Sequence, residues 1–361
     1  MFQRTSLAAL RRSFTFLTIS AALFACSNGN DEVPNDSIEG NSLLLNFTSD
    51  YTTGELRWMD PDSTGLSQGS LDYIPDSRLS TGGGVVFILG SAPGTLGCIS
   101  PENMADIKEE RLSAEYPYEA TVIGGKGYIA LHDADYLQIF DASTCAQGGK
   151  IDLPVSNANA SSIKSSGDTL LVVLQRLEFF DATKPGLLVR INATTETLID
   201  TIPLNLHNPH SSVLSKGKLY ISAQARYNED YSYNYANSGI EVVDLTRGIA
   251  EVLLTGEQIG GGVYGMALDE ASQTLYAGVS ASWGDMPVKP VNLNSKSAGA
   301  ALPNITDSEG GLVFDNLAKK LFVGDRSYGD GGLKAYNPAV NQTTAVNGEA
   351  LPPYSLAIVR W

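Results

Sequence analysis

Seven strongly apolar segments recur along the chain at a nearly constant interval. They are LLLNF from Leu43, VVFIL from Val85, YIAL from Tyr128, LLVVL from Leu170, LYISA from Leu219, LYAGV from Leu275 and LFVGD from Leu321. Their starts lie 42, 43, 42, 49, 56 and 46 residues apart. Each segment is short, rich in Val, Ile, Leu, Phe or Tyr, and bounded by turn residues, which is the pattern of a strand. A supersecondary unit repeated at this period cannot bury its apolar surface alone and must stack on its neighbours.

Residues 212–254 show one whole unit: SVLS, KLYISAQ, GIEVVDL and AEVLL, with Gly, Lys, Asp and Asn at the joins. Elsewhere the apolar segment follows a turn and a short strand, as in ATVIGGKG, SIKSSGD, GMALDEASQ and GLVFDNLAKK. It precedes a strand ending on an Asp or Asn turn, as in LRWMDPDSTG, LQIFDASTC, LLVRINATT and LKAYNPAVN. A fourth strand follows, as in TLIDTIPL. Four strands per unit and seven units predict an all-β fold, a seven-bladed β-propeller with four-stranded blades. The sequence enters in phase with a second strand at Leu43 and leaves on a lone first strand, YSLAIVR. The C-terminal strand is therefore expected to pair with the N-terminal blade and remove the open edge. Blade 2 departs most, because ENMADIKEERLSAEYPYE has room for a short helix where a fourth strand belongs.

These repeats resemble the YVTN-type seven-bladed β-propellers, in particular those of exported bacterial lipoproteins, over about residues 41–361. The resemblance implies a fold and leaves function open. The Gly-His and Trp-Asp marks of WD repeats are missing, as are the repeated tryptophan motifs of quinone-cofactor propellers.

Ahead of the repeats, Arg4, Arg11 and Arg12 precede an apolar run, residues 14–25, too short to span a bilayer. The run ends Leu23-Phe24-Ala25-Cys26, which resembles the bacterial lipobox. Residues 1–25 are then a lipoprotein signal peptide, Cys26 is the lipidated residue, and residues 26–40 are a polar, lipid-anchored tether. Three acyl groups exceed what stable anchoring needs. Ser27 after the cysteine, by resemblance to enteric sorting rules, directs the protein to the outer membrane, facing the periplasm or the cell surface. Cys98 and Cys145 remain as an even pair, a disulfide candidate in an exported protein, with two inert buried thiols as the alternative. The formal net charge of −16 argues against nucleic acid as a partner.

In a propeller, the loops between strands 2 and 3 and those between blades share one face. Polar and aromatic residues concentrate there, while the opposite turns (GGKG, SSGD, SKGK, DEASQ) are bland. Function sits on loops held by a rigid scaffold. The longest, residues 227–237 (YNEDYSYNYAN), interleaves Tyr227, Tyr231, Tyr233 and Tyr235 with small polar residues. Such a composition suits adaptable recognition. Arg176, Arg226, Trp283, Arg326 and His210 complete the candidate ligand-binding set. His207-x-x-His210 flanks Asn-Pro with no nearby acid to complete a metal site. His132, Asp133 and Asp325 are weak candidates for a metal, Ca2+ included, and Glu119 joins them if they converge on the axis. No cofactor is otherwise expected, and no nucleophile elbow, phosphate loop or Cys-x-x-Cys is present.

The reading is a monomeric, lipid-anchored binding or scaffolding propeller of the bacterial envelope. It recognises a glycan, peptide or protein partner through one loop face. The alternative is a metal-dependent, lactonase-like hydrolase or lyase with an axial site.

Overall fold

A strand covered on both faces needs no polar alternation, and the seven apolar segments are used in this way. The computed structural model describes residues 42–62, 68–91, 94–114, 116–178, 181–228, 232–346 and 351–361. The expected leader, Cys26 and tether lie outside the described residues. Seven antiparallel sheets of four strands make seven blades. From the axis outwards, blade 1 is Pro353–Arg360, Ser42–Ser49, Gly54–Met59 and Gly69–Tyr73. Blade 2 is Ser77–Gly82, Val85–Gly90, Thr95–Ile99 and Ile107–Arg111, and blade 3 is Pro117–Ile123, Lys126–Leu131, Tyr136–Asp141 and Gln147–Asp152. Blade 4 is Ala160–Ser166, Thr169–Leu174, Pro185–Asn192 and Thr197–His207, and blade 5 is Pro209–Ser215, Lys218–Ala223, Gly239–Asp244 and Ile249–Thr255. Blade 6 is Gly262–Asp269, Thr274–Ser280, Val288–Asn292 and Ser297–Ala298, and blade 7 is Leu312–Asp315, Lys320–Asp325, Gly332–Asn337 and Gln342–Ala345. Innermost strands of neighbouring blades touch in an unbroken ring.

Successive side chains of a strand point to opposite faces, so each second strand feeds two cores. In Thr169–Leu174, Leu170, Val172 and Leu174 enter the cluster shared with blade 3, while Leu171 and Val173 enter the one shared with blade 5. All five are buried. In Ser42–Ser49, Leu43, Leu45 and Phe47 face blade 2 and Leu44 faces blade 7. Each such side chain contributes about 1.5–3 kcal/mol, which explains why this strand carries the strongest apolar signal.

The short helix expected in blade 2 is a single 3-10 turn, Pro101–Asn103, and it does not displace the fourth strand. Ile107–Arg111 follows and pairs with Thr95–Ile99. Turns after the third strands are built by Asx chemistry. Asp141 accepts the Ser143 hydroxyl at 2.6 Å and the Thr144 backbone N–H at 2.8 Å, which holds its carboxyl down at about 2. The turn ends on Cys145 at φ 66°. Cys145 is joined by a disulfide to Cys98, with Cα atoms 5.7 Å apart, inside the cluster between blades 2 and 3.

Closure occurs in blade 1, where Leu43 to Phe47 pair antiparallel with Val359 to Ser355. Arg360 then reaches blade 7, where its guanidinium donates to Asp315 at 2.9 Å. Asp315 is only 1% exposed. Arg360→Met strands that carboxylate and should cost about 3 kcal/mol, read as a lower denaturant midpoint at unchanged slope. Adding Asp315→Asn should restore part of the loss; a single variant as stable as the parent would contradict this.

Candidate functional site

Three innermost strands begin with proline: Pro117, Pro209 and Pro353. Proline is tolerated there because it is the first residue of an edge strand. Register shifts follow in blades 1, 3, 4, 5 and 6. They leave Tyr354, Tyr118, Ser161, His210 and Tyr264 outside the regular pairing. A bulge re-aims the extra side chain, and in four of these blades that side chain is a ring. Blade 2 has no shift and supplies Arg78 from its second inner position.

The rings meet across blades at the axial mouth of the loop face. The Arg78 guanidinium lies 4.2 Å from the Tyr118 ring centre. Tyr118 stacks on His132 at 5.1 Å and meets His210 edge-on at 6.0 Å. His210 in turn lies 6.2 Å from Tyr264. Tyr118 of blade 3 reaches His210 of blade 5 because blade 4 offers only Ser161 between them. The Tyr233 ring lies 5.1 Å from that of Tyr227 and 6.5 Å from that of Tyr235. On the other side, Arg326 lies 5.1 Å from Tyr51 and 5.4 Å from Tyr354, and it donates to the Pro353 carbonyl at 2.7 Å.

Burial sets the ionisation of this collar. It pushes His210 down to about 3, with help from Arg78 and His132, so the imidazole is neutral at ordinary pH. The hydrogen bond that Tyr227 donates to Tyr233, with burial, pushes Tyr227 up to about 12, and burial raises Tyr264. Burial and the Asp307 charge raise Glu309, against the pull of Arg326 and Arg78. Glu309 Oε2 stands 3.9 Å from Arg326 Nε.

Tyr227, Tyr233, His210 and Arg326 are thus brought to the mouth. Tyr231 lies outside the described residues. Tyr235 is tied by its hydroxyl to the Ala281 carbonyl. Arg226 donates to the Ala182 carbonyl at 2.9 Å and braces that loop, as does His207 from its Nδ1 at 2.8 Å. Arg176 turns back on the Pro185 carbonyl at 3.4 Å. Trp283 is 82% exposed on the loop face. Arg78, Tyr264 and Glu309 escape a motif search; their signal is repeat phase, since most of the collar occupies the same opening position of successive blades.

The metal candidates are engaged elsewhere. His132 Nδ1 bonds Asp133 at 2.6 Å. Asp325 is fully buried, ion-paired to Lys334 at 2.8 Å, and accepts the backbone N–H of Thr306 and Ser327. Glu119 takes Lys164, the Ser162 hydroxyl and the Ile163 N–H. Among the described residues, no three His, Cys, Asp or Glu side chains form a metal-holding group.

Exposed rings mark the same face. Among the described residues, the exposed aromatics are Tyr51, Tyr116, Tyr227, Trp283 and Tyr328, all on loop-face connections. The exposed large aliphatics, Leu198, Ile199, Ile249, Val252, Leu317 and Val340, lie on outer strands or opposite-face turns.

No family model matches the sequence, and no curated protein matches it. Solved structures do. A Bacteroides fragilis protein named as a 6-phosphogluconolactonase aligns with a TM-score of 0.61 at 11% identity, over 90% of this protein and 99% of its own length. Hydrazine synthase of Kuenenia stuttgartiensis aligns at 0.60 and 12% identity, over 88% and 94%. BamB from Moraxella catarrhalis aligns at 0.50 and 11% identity, over 86% and 84%. At these identities the likeness carries the propeller fold alone.

A half-buried histidine whose Nδ1 is shut off from solvent, held neutral, has a consequence for stability. Between about pH 6.5, its ordinary value, and about 3, the unfolded protein binds a proton at His210 that the folded protein does not. Stability is lost as pH falls through that window. The drop in urea midpoint from pH 7 to 4.5 should be smaller in His210→Gln than in the parent, while carboxylates act alike in both. An equal drop would contradict the burial assigned to His210.

Proposed function

We infer that this protein is a binding propeller of the bacterial envelope, held to the membrane by acyl groups on Cys26, which docks a protein partner on its loop face. The observation that carries the reading is the segregation of exposed rings. Every exposed aromatic among the described residues lies on the face whose centre holds Arg78 and Arg326. Tyr, Trp and Arg are the residues enriched at interface hot spots; Tyr and Trp bury large area at low entropic cost, and Arg adds a planar, multiply donating charge. Glycan recognition would use the same rings, but their combination with Arg78 and Arg326 favours a protein surface. The lactonase-like alternative is the weaker reading. Its carboxylates and histidine are spent on local hydrogen bonds and ion pairs, and a neighbour's name at 11% identity adds only fold.

The test uses three variants of the full-length protein in its own cells, with cross-linked partners quantified by mass spectrometry. Tyr51→Ser with Tyr227→Ser and Trp283→Ser should release the partner and leave thermal stability within about 0.5 kcal/mol per site. Leu317→Ser with Val340→Ser, on the opposite face, should keep it. Cys26→Ser should stop incorporation of a labelled fatty acid and move the protein out of the membrane fraction. A partner retained by the loop-face variant, or a parent protein that takes up no fatty acid, would overturn the corresponding half of the reading.

A further inference from the structure

Arg78 stands out within the mouth, because its guanidinium forms no ion pair, although its charge pulls on Glu309 at longer range. No carboxylate among the described residues comes within 4.0 Å of it. Its Nε is buried without a hydrogen-bond partner, and so is the Nδ1 of His210. The two side chains lie against the same ring, Tyr118. Buried polar atoms in native proteins are almost always satisfied by protein, water or ligand. Other cations of this region have polar partners: Arg326 has Pro353 and Glu309, Lys334 has Asp325, and Arg226 has Ala182, although its Nε is likewise unpartnered. Arg78 is instead seated on an aromatic face, which holds its planar fork in one orientation while leaving its donors free.

We propose that Arg78 is the anchor for a carboxylate of the docked protein, taken at the axial mouth with Tyr118 and His210 as its walls. The inference rests on the loop-face reading and deepens it. A planar guanidinium matches a carboxylate by two parallel hydrogen bonds, a geometry an ammonium cannot reproduce. The surrounding charge narrows the partner further. The protein carries −16 overall, so a polyanion is repelled at long range, whereas one carboxylate on an otherwise neutral segment is admitted. Two sources share this chemistry: an Asp or Glu side chain, and the free carboxylate that ends a polypeptide.

Three probes separate them on the purified full-length protein, by saturation-transfer NMR titration. Acetyl-Tyr-Glu-amide has its only carboxylate on a side chain, acetyl-Tyr-Gln has its only one at the terminus, and acetyl-Tyr-Gln-amide has neither. One of the acids should bind about tenfold or more tightly than the neutral probe, and the one that does identifies the source. Arg78→Met should bring it down to the neutral level, and Arg78→Lys should fall between. The thermal midpoint of each variant, measured alongside, shows that loss of binding is not loss of fold. Neither acid exceeding the neutral probe, or acid preference surviving in a folded Arg78→Met, would overturn the proposal. Partner capture by the Tyr51, Tyr227 and Trp283 variant is read separately, so the carboxylate anchor can fail while the loop-face reading stands.

Discussion

Closure of the ring by the last strand is the constraint on which the rest depends. Antiparallel pairing of Pro353–Arg360 with Ser42–Ser49 joins the two ends of the described residues inside one sheet. Each blade is covered on both faces only if its neighbours are present, so an unclosed ring would leave Leu44, Met59, Phe322 and Leu333 without their partners across the seam. The Arg360–Asp315 pair and the Thr81 hydroxyl bond to the Ile358 carbonyl tie that last strand to blades 7 and 2. The same seam builds half of the mouth. Tyr51 and Tyr354 belong to blade 1, Arg326 belongs to blade 7, and the guanidinium lies near both rings.

The two faces of the disc divide the work. Opposite-face turns are fixed by local chemistry, with Asp141, Asn192, Asp244 and Asn337 each accepting from backbone N–H groups two or three residues on. Such turns need few residues and leave little to vary. The loop face carries the bulges of the innermost strands, the three prolines that open such strands and the long excursion of blade 5, where Arg226–Tyr227 pairs with Tyr233–Asn234 as a small hairpin. A rigid ring with one recurring geometry of turns and one varied face is a scaffold suited to presenting side chains to a partner.

Most of the fold was legible because burial on both faces makes the second strand of each blade an uninterrupted apolar run. The outer strands were harder to see. Ile107–Arg111 reads IKEER, with most of its side chains toward solvent, so its polar sequence looked like helix or loop. The site was less legible still. His207 and His210 looked like one pair, but Pro209 starts a strand between them and sends one to a brace and the other to the axis. Arg78, Tyr118 and Tyr264 sit in three different blades, and no local motif records a site to which each blade adds one residue.

The most direct test of a loop face that docks protein is a photoreactive amino acid placed at one exposed position on each side. Tyr328 is fully exposed on the loop face, and Leu317 is exposed on an opposite-face turn. In cells, the probe at position 328 should give a discrete higher-mass adduct on illumination, and the probe at 317 should give none. Adducts of equal yield from both positions, or from 317 alone, would contradict a loop face that docks protein.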